Sequence, residues 1–578
     1  MFTLAVLVIA ALGAAIGYGW YAKNIDRNIV QPDPKKTTPA KMFMDGVDFI
    51  PASRNVLFGY QFKSIAALGP ITGPIVALRW GWLPALLWII LGTFFIGWVQ
   101  DYASAMVAMR NEGKTFGALS YSLIAPRART ILLIFIYAYL LLIMGAFGKI
   151  VGFDLMTNPA VPLGVLLVMG LGILAGQMTY KWKQDLVLTT VITVLLSFVG
   201  IWLGTLSPVK NLFATINGSP DTIIFGSVTQ AQFIWSIVVM AICYLGAVLP
   251  IWRWAQPINY VAFWIVLLGM AGGVIGMIVW HPSLPGDFPA FTSWNGEISG
   301  LAAIGPLWPL MFVTVACGAI SGWHSLVSSS GTARQLESEV DALPVGGGAM
   351  FLEMFLAVIS LLAGAVGVGA TPELGFAKYV ELVGAGKNAG VFANGLAQFL
   401  SRIGIPTSFG LPYGSVFLTL MGLTIMYLVV RFMRVASAEV LGDALPIMTN
   451  VHVGSIVAVL LSILLVWTGA WLHVWILFGG ANQLMASLAL LIISLWLMNA
   501  GRKYGWAFWP FIFMFITAIA ALVLTAYKTL SAAAAGTKVV GNVFAGGLAV
   551  ILVIAAVILA YDAYGAIQAI QAKKVSAG

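Results

Sequence analysis

The sequence predicts an all-α polytopic membrane protein, and three observations predict it. Of its 578 residues, 61% are hydrophobic and only 8% are charged, against roughly 45–50% apolar and about 25% charged in soluble domains. Apolar runs recur from end to end, each long enough, at about 18 to 25 residues, to cross some 30 Å of hydrocarbon as a helix. No segment alternates with the two-residue period of a barrel strand, and a backbone within lipid can satisfy its hydrogen bonds only as a helix or a closed barrel.

The charge balance fits the same class. The 29 Lys+Arg against 20 Asp+Glu give a net charge of +9. In a chain this apolar such residues flank spans on the cytoplasmic side, so no nucleic-acid partner is expected. Cys243 and Cys317 both fall inside apolar runs, which argues for packing rather than a disulfide or a thiolate site, and no metal or other cofactor is expected. Residues 2–22 lack the basic start and small-residue cleavage site of a signal peptide. They are read as a retained first helix with its N-terminus outside.

Apolar runs and their punctuation place about fifteen spans, near 2–22, 64–81, 84–109, 130–152, 161–180, 186–206, 231–251, 258–280, 305–329, 346–369, 407–433, 450–473, 475–499, 506–527 and 541–563. With the N-terminus outside, Arg110, Lys114, Arg127, Arg129, Lys181, Lys183, Arg253, Arg431, Arg434, Arg502, Lys503, Lys573 and Lys574 all fall inside, the C-terminus is cytoplasmic, and the outer segments 153–160 and 281–304 hold no Lys or Arg. That asymmetry is the signature of a cell inner (plasma) membrane protein. Residues 370–406 read as an extracellular lid with short helices, and 23–63 as a polar cytoplasmic loop.

Two spans cannot be regular helices. SIAALGPITGPIVALRWG (64–81) carries Gly69, Pro70, Gly73 and Pro74; residues 305–331 carry Pro306 and Pro309 at the start and GAISG at 318–322. Proline removes a backbone donor and crowds the preceding turn, and the freed amides and carbonyls must face protein, water or a ligand. One break runs inside to outside and the other outside to inside. A matched, opposed pair predicts an inverted-repeat carrier with its site at the midplane. The expected organisation is a first helix and loop (1–63), a first bundle (64–206), outer loops with an inserted hairpin (207–304, the hairpin at 231–280), a second bundle with the lid (305–499), and a C-terminal hairpin with a short basic tail (500–578).

At these stretches the sequence resembles the carbon starvation protein A family of bacterial and archaeal transporters. The likeness lies in DGVDFIPASRNVLFGYQFKSIAALGPITGPIVA (45–77), GWLPALLWIILG, QDY (100–102), RNEGK, LPIWRWAQPINY, ACGAISGWHSLVSSSGT and LFGGANQLMASLAL. The resemblance implies a peptide and pyruvate uptake transporter driven by an ion gradient, with a fold similar to the leucine-transporter class. The chain departs from the family where GHHF is usual and Gly59, Tyr60, Gln61 and Phe62 stand instead. LTIMYLVVRFMR replaces a TLDTATR-like run, and Asn259 stands where Asp is usual.

Ionisable groups within spans are costly and therefore mark function. Arg79 and Lys149 can reach an interface through their long stems. Asp101 and Glu353 cannot reach far, and with His324 they are the proton candidates, since a carboxylic acid or an imidazole can carry a coupling proton; a structural ion pair or helix–helix hydrogen bond is the plain alternative. An anionic cargo would meet main-chain amides at the breaks, with Gly69, Pro70, Gly73, Gly318 and Gly322 allowing close approach. Ser64, Thr72, Gln256, Ser321, Ser325, Asn482 and Gln483 would support it, or serve as interhelical hydrogen bonds. Carbonyls at 66–68 with Thr419 and Thr424 could hold sodium, although protons are favoured.

The expectation is therefore a symporter of a small polar nutrient, a peptide or a pyruvate-like carboxylate, working by alternating access. An amino-acid carrier of the same fold or a channel is the alternative. No HExxH, GxSxG or phosphate loop points to an enzyme.

Overall fold

The structure, a computed structural model, describes residues 2–468 and 474–577. The expected end of the span at 450–473 falls on 469–473, outside the described residues, as do the side chains of Lys573 and Lys574. Among the described residues, 12 helices are long and apolar enough to cross a membrane. In chain order the spans begin with α1 (Thr3–Val30). The first broken pair follows, α2 (Arg54–Ile65) and α3 (Gly69–Ala77). Next come α4 (Trp82–Arg110), α5 (Pro126–Leu155), α6 (Pro162–Lys181), α7 (Leu186–Gly204), α8 (Gln230–Val248) and α9 (Ala255–Trp280). The second broken pair is α10 (307–314) and α11 (Gly322–Ser330). After α12 (Glu339–Val368) come two short helices, α13 (Gly375–Gly384) and α14 (Asn388–Ser401), in the region read as a lid. The chain ends with α15 (Thr407–Leu441), α16 (Val451–Trp467), α17 (Val474–Asn499), α18 (Gly505–Ala534) and α19 (Val539–Ala577).

Local chemistry sets several boundaries. Asp185 caps α7 by accepting from Leu188 N–H, Asn450 caps α16 by accepting from His452 and Val453, and Thr229 and Gln232 form a reciprocal capping box that starts α8. Each satisfies amides that the first turn leaves free. A two-stranded hairpin, β1 (Ile223–Phe225) and β2 (Val228–Thr229), precedes α8.

The packing is reciprocal. Helix α3 lies on α12 as α11 lies on α4; α2 lies on α9 as α10 lies on α17; α8 lies on α15 as α16 lies on α5. Helices α5 and α15 face each other across the centre, and the apolar stretch of α15 is enclosed along its whole length. This is an inverted repeat built around two broken helices.

Two expectations are corrected. Residues 54–65 are not loop: they form α2, the first half of the first broken helix, so that span begins well before residue 64. RNVLFGYQFKSI escapes a hydropathy reading because its polar residues Gln61, Lys63 and Ser64 are buried against protein rather than facing lipid. The hairpin outside the reciprocal packing is α6–α7, which rests on α9, and not residues 231–280, which hold the bundle positions of α8 and α9. Inserting either hairpin leaves the direction of every later span unchanged, so orientation alone did not separate them.

Candidate functional site

Each broken helix opens for a local reason. Helix α2 ends at Ile65, Ala66 turns extended (φ −69°, ψ 94°), and helix resumes at Gly69 with Pro70 in its first turn, where a missing N–H leaves no bond unmade. Thr72 Oγ1 donates to Leu68 O (2.8 Å) and steadies the restart. In the second break the chain leaves α10 at Val315 (φ −91°, ψ 63°) and re-enters helix after an extended Ser321 (φ −146°, ψ 132°).

The two breaks lie against each other. A Cβ on Gly69 would stand 2.4 Å from Cys317 Sγ, and one on Gly73 would stand 2.5 Å from Thr314 O. On Gly318 it would meet Ala357 Cβ at 2.5 Å, and on Gly322 the Asn482 carbonyl at 2.3 Å. These four glycines were expected to bare amides to a cargo. In this conformation they let the unwound segments close on one another and on α12 and α17.

Polar side chains knit the breaks together. Asn482 Oδ1 accepts from Tyr139 Oη (2.5 Å), Ser321 Oγ (3.1 Å) and Trp323 N (3.2 Å). Gln100 Nε2 donates to Ser321 O (2.8 Å), Trp323 Nε1 to Ser64 O (2.6 Å), and Asn259 Nδ2 to Ser64 Oγ (2.7 Å). Tyr427 Oη donates to Asn259 Oδ1. Gln483 Nε2 donates to Phe312 O (2.6 Å), at the end of α10, and Ser325 Oγ to Gly322 O (2.6 Å). Of the expected set, Ser64, Ser321 and Asn482 thus share one network. Gln256 does not join it: it donates to Gln335 Oε1 (2.6 Å) and accepts from Tyr180 Oη.

Asp101, His324 and Glu353 come together from three helices, α4, α11 and α12. His324 Nδ1 stands 3.1 Å from Asp101 Oδ2, and His324 Nε2 stands 3.2 Å from Glu353 Oε2. All three side chains are 0% exposed. Asp101 Oδ1, both Glu353 carboxyl oxygens and His324 Nε2 have no hydrogen-bond partner among the described residues, so His324 and Glu353 meet as an ion-pair contact while His324 Nδ1 makes the hydrogen bond to Asp101. An imidazolium balances one carboxylate; the second needs a proton of its own or another cation, because an uncompensated charge is expensive in so dry a place. The three groups therefore form one buried cluster, in which a change of charge on any member is felt by the other two.

A cavity of ≈ 790 Å³ lies on one side of the breaks. Thr72 and Thr314, one from each broken helix, line it together with Arg79, Lys149, Asp154 and Lys387. Arg79 also donates to the carbonyls of Gly296 (3.1 Å) and Ala302, and Lys149 pairs with Asp154 at 2.5 Å. At the opposite end basic groups meet acids: Arg431 with Asp48 (2.7 Å) and Arg110 with Glu339 (2.8 Å).

Sequence reasoning missed Lys63, which is fully buried and donates to Thr424 Oγ1 (2.7 Å). It also missed Gln100, Tyr139 and Tyr427. The available signal for Lys63 was its position two residues before Ile65 in KSIAALGP, at the mouth of a recognised break. Tyr139 and Tyr427 sit in unbroken apolar runs and gave none.

Residues 2–372 and 375–521 match the profile of the family described as carbon starvation protein CstA. The peptide transporter CstA of Escherichia coli K12 is 30% identical over 367 residues, covering 61% of this chain and 48% of that protein. The pyruvate/proton symporter BtsT of the same organism is 29% identical over 380 residues, covering 62% of this chain and 49% of that protein. The matches thus span about half the length of those relatives. Among solved structures, MhsT in complex with L-phenylalanine is similar at a TM-score of 0.47 and 12% identity, over 89% of this chain and 99% of that one. The chain belongs to the carbon starvation protein CstA family.

Proposed function

We propose that this chain is a secondary transporter of the inner membrane that imports a small polar nutrient, a peptide or a pyruvate-like carboxylate, together with protons, by alternating access. The observation that carries the reading is the buried Asp101–His324–Glu353 cluster, directly behind the second unwound segment. His324 lies on the helix that the break releases, so protonation there acts on the element that must move. Binding a proton and binding cargo can then bias the same two-state element, which is what coupling requires.

Arg334 lies beside Arg431, and Arg502 shares the Val30 carbonyl with Arg110; with this basic end taken as cytoplasmic, the N-terminus is outside and the ≈ 790 Å³ cavity opens on the outer face. Cargo enters there, past Lys387 and Arg79, whose positive charge favours a carboxylate. It descends to Thr72 and Thr314, where the broken helices part. The hub of Ser64, Ser321 and Asn482 then rearranges to admit it, with Gly69, Gly73, Gly318 and Gly322 giving the backbone freedom to open and Pro70 fixing the point where helix restarts.

The test is uptake into liposomes holding the purified protein, with labelled pyruvate, di- and tripeptides and free amino acids as probes. Saturable accumulation of pyruvate or peptide under an inward proton gradient, abolished by a protonophore and unchanged when sodium is removed, supports the reading. Unsaturable, downhill flux of all probes replaces it with a channel.

A further inference from the structure

A buried lysine stands where the sequence allowed for a sodium ion. Lys63 lies in the last turn of α2, immediately before the first break, and is 0% exposed. Helix α15 crosses the break at Gly422, where a Cβ would stand 3.1 Å from Leu68 Cδ1. One further half-turn along, Thr424 Oγ1 receives the Lys63 ammonium at 2.7 Å.

The surroundings are those of a cation site. Thr424 gives its own proton to Leu420 O (2.7 Å), so towards the crossing its oxygen can only accept. Thr419 is committed in the same way, to Ser415 O (2.8 Å). The C-terminal end of α2, with Lys63 in its last turn, presents the negative end of its dipole. An accepting hydroxyl oxygen and a negative helix end call for positive charge. A free alkali-metal ion would need about six hard oxygens there, whereas a tethered ammonium brings the charge with three donors of its own.

We propose that Lys63 is the resident cation of the crossing between the first unwound segment and α15, a specificity-determining residue that takes the place of a metal ion, so that transport runs without sodium. This deepens the carrier reading and rests on it.

The experiment compares the wild type, Lys63→Ala and Thr424→Val in two assays: pyruvate uptake by proteoliposomes, and thermal unfolding of the purified protein. Each is run in sodium chloride and in choline chloride at equal concentration. The wild type is expected to behave alike in both salts. Lys63→Ala is expected to lose about tenfold or more of its uptake in choline, to recover several-fold of it in sodium, and alone to unfold at higher temperature when sodium is present. Thr424→Val, which keeps the charge and loses the acceptor, is expected to slow uptake without any response to sodium, and it serves if Lys63→Ala does not fold. Sodium-dependent uptake by the wild type overturns the proposal, as does full activity of Lys63→Ala in choline, a Lys63→Ala protein that gains nothing from sodium, or wild-type rates for Thr424→Val. If no probe is carried by the wild type yet Lys63→Ala alone gains thermal stability from sodium, the resident-cation inference stands and the carrier reading falls.

Discussion

His324 Nε2 lies 3.2 Å from Glu353 Oε2 with both side chains fully enclosed, and this contact joins a helix released by one break to a helix packed against the other. A carboxyl that faces an imidazole in a dry core is held there by protonation and pairing together, so altering either partner is felt across both halves of the molecule.

Replacing Glu353 with Gln keeps the shape and removes the proton site. Gradient-driven pyruvate uptake is expected to fall by about tenfold or more, while exchange of internal for external pyruvate, which needs no net proton movement, continues. Counterflow and net uptake measured on the same vesicles separate the two. His324→Ala is expected to lose both, because it also removes the link to Asp101.

Lowering the external pH at constant internal pH is expected to raise the initial rate, and raising the internal proton concentration to lower it. The sign follows from symport: protons must bind outside and leave inside for each cycle to finish. Initial rates across an imposed pH gradient, with membrane potential clamped by potassium and valinomycin, read it directly.

Gly73 faces Thr314 O so closely that any side chain must displace backbone. Gly73→Val is expected to destabilise the protein by about 1–3 kcal/mol or to spread the two breaks apart. Thermal unfolding measures the first outcome. Loss of uptake with unchanged expression measures the second.

Arg431 gives its guanidinium to Asp48 and to the carbonyls of Gly246 and Leu249. Arg431→Gln is expected to loosen this end, by less than the about 3–5 kcal/mol of a fully buried pair because Asp48 stays partly exposed. A cysteine placed at Ser330, which lines the small hollow beside Arg431, is then expected to react faster with a maleimide. Labelling rates with and without Arg431→Gln check it.

Much of this fold was legible in the sequence because lipid leaves few options. Apolar length reports a span, and Gly69-Pro70 and GAISG report a break, whatever the tertiary structure. Asp101, His324 and Glu353 were legible one by one, since each ionisable group in an apolar run must be compensated. Their meeting was not, because it depends on how α4, α11 and α12 pack. Helix α2 was hidden for the opposite reason: Gln61, Lys63 and Ser64 bury against protein, so the segment looks like solvent-exposed loop. Of the expected glycines only Gly318 lies within an unwound segment, while Gly69 and Gly322 begin the restarted helices and Gly73 sits inside one; their close neighbours, Cys317 and Ala357, lie far away in sequence and only packing brings them near.

The most direct measurement of the central claim follows protons and cargo together. Proteoliposomes loaded with a pH-sensitive dye and given external pyruvate, with no initial pH gradient, are expected to acidify inside as labelled pyruvate accumulates, and Glu353→Gln vesicles are expected to do neither. Pyruvate accumulation without acidification, or acidification that persists in Glu353→Gln, contradicts proton coupling through the Asp101–His324–Glu353 cluster.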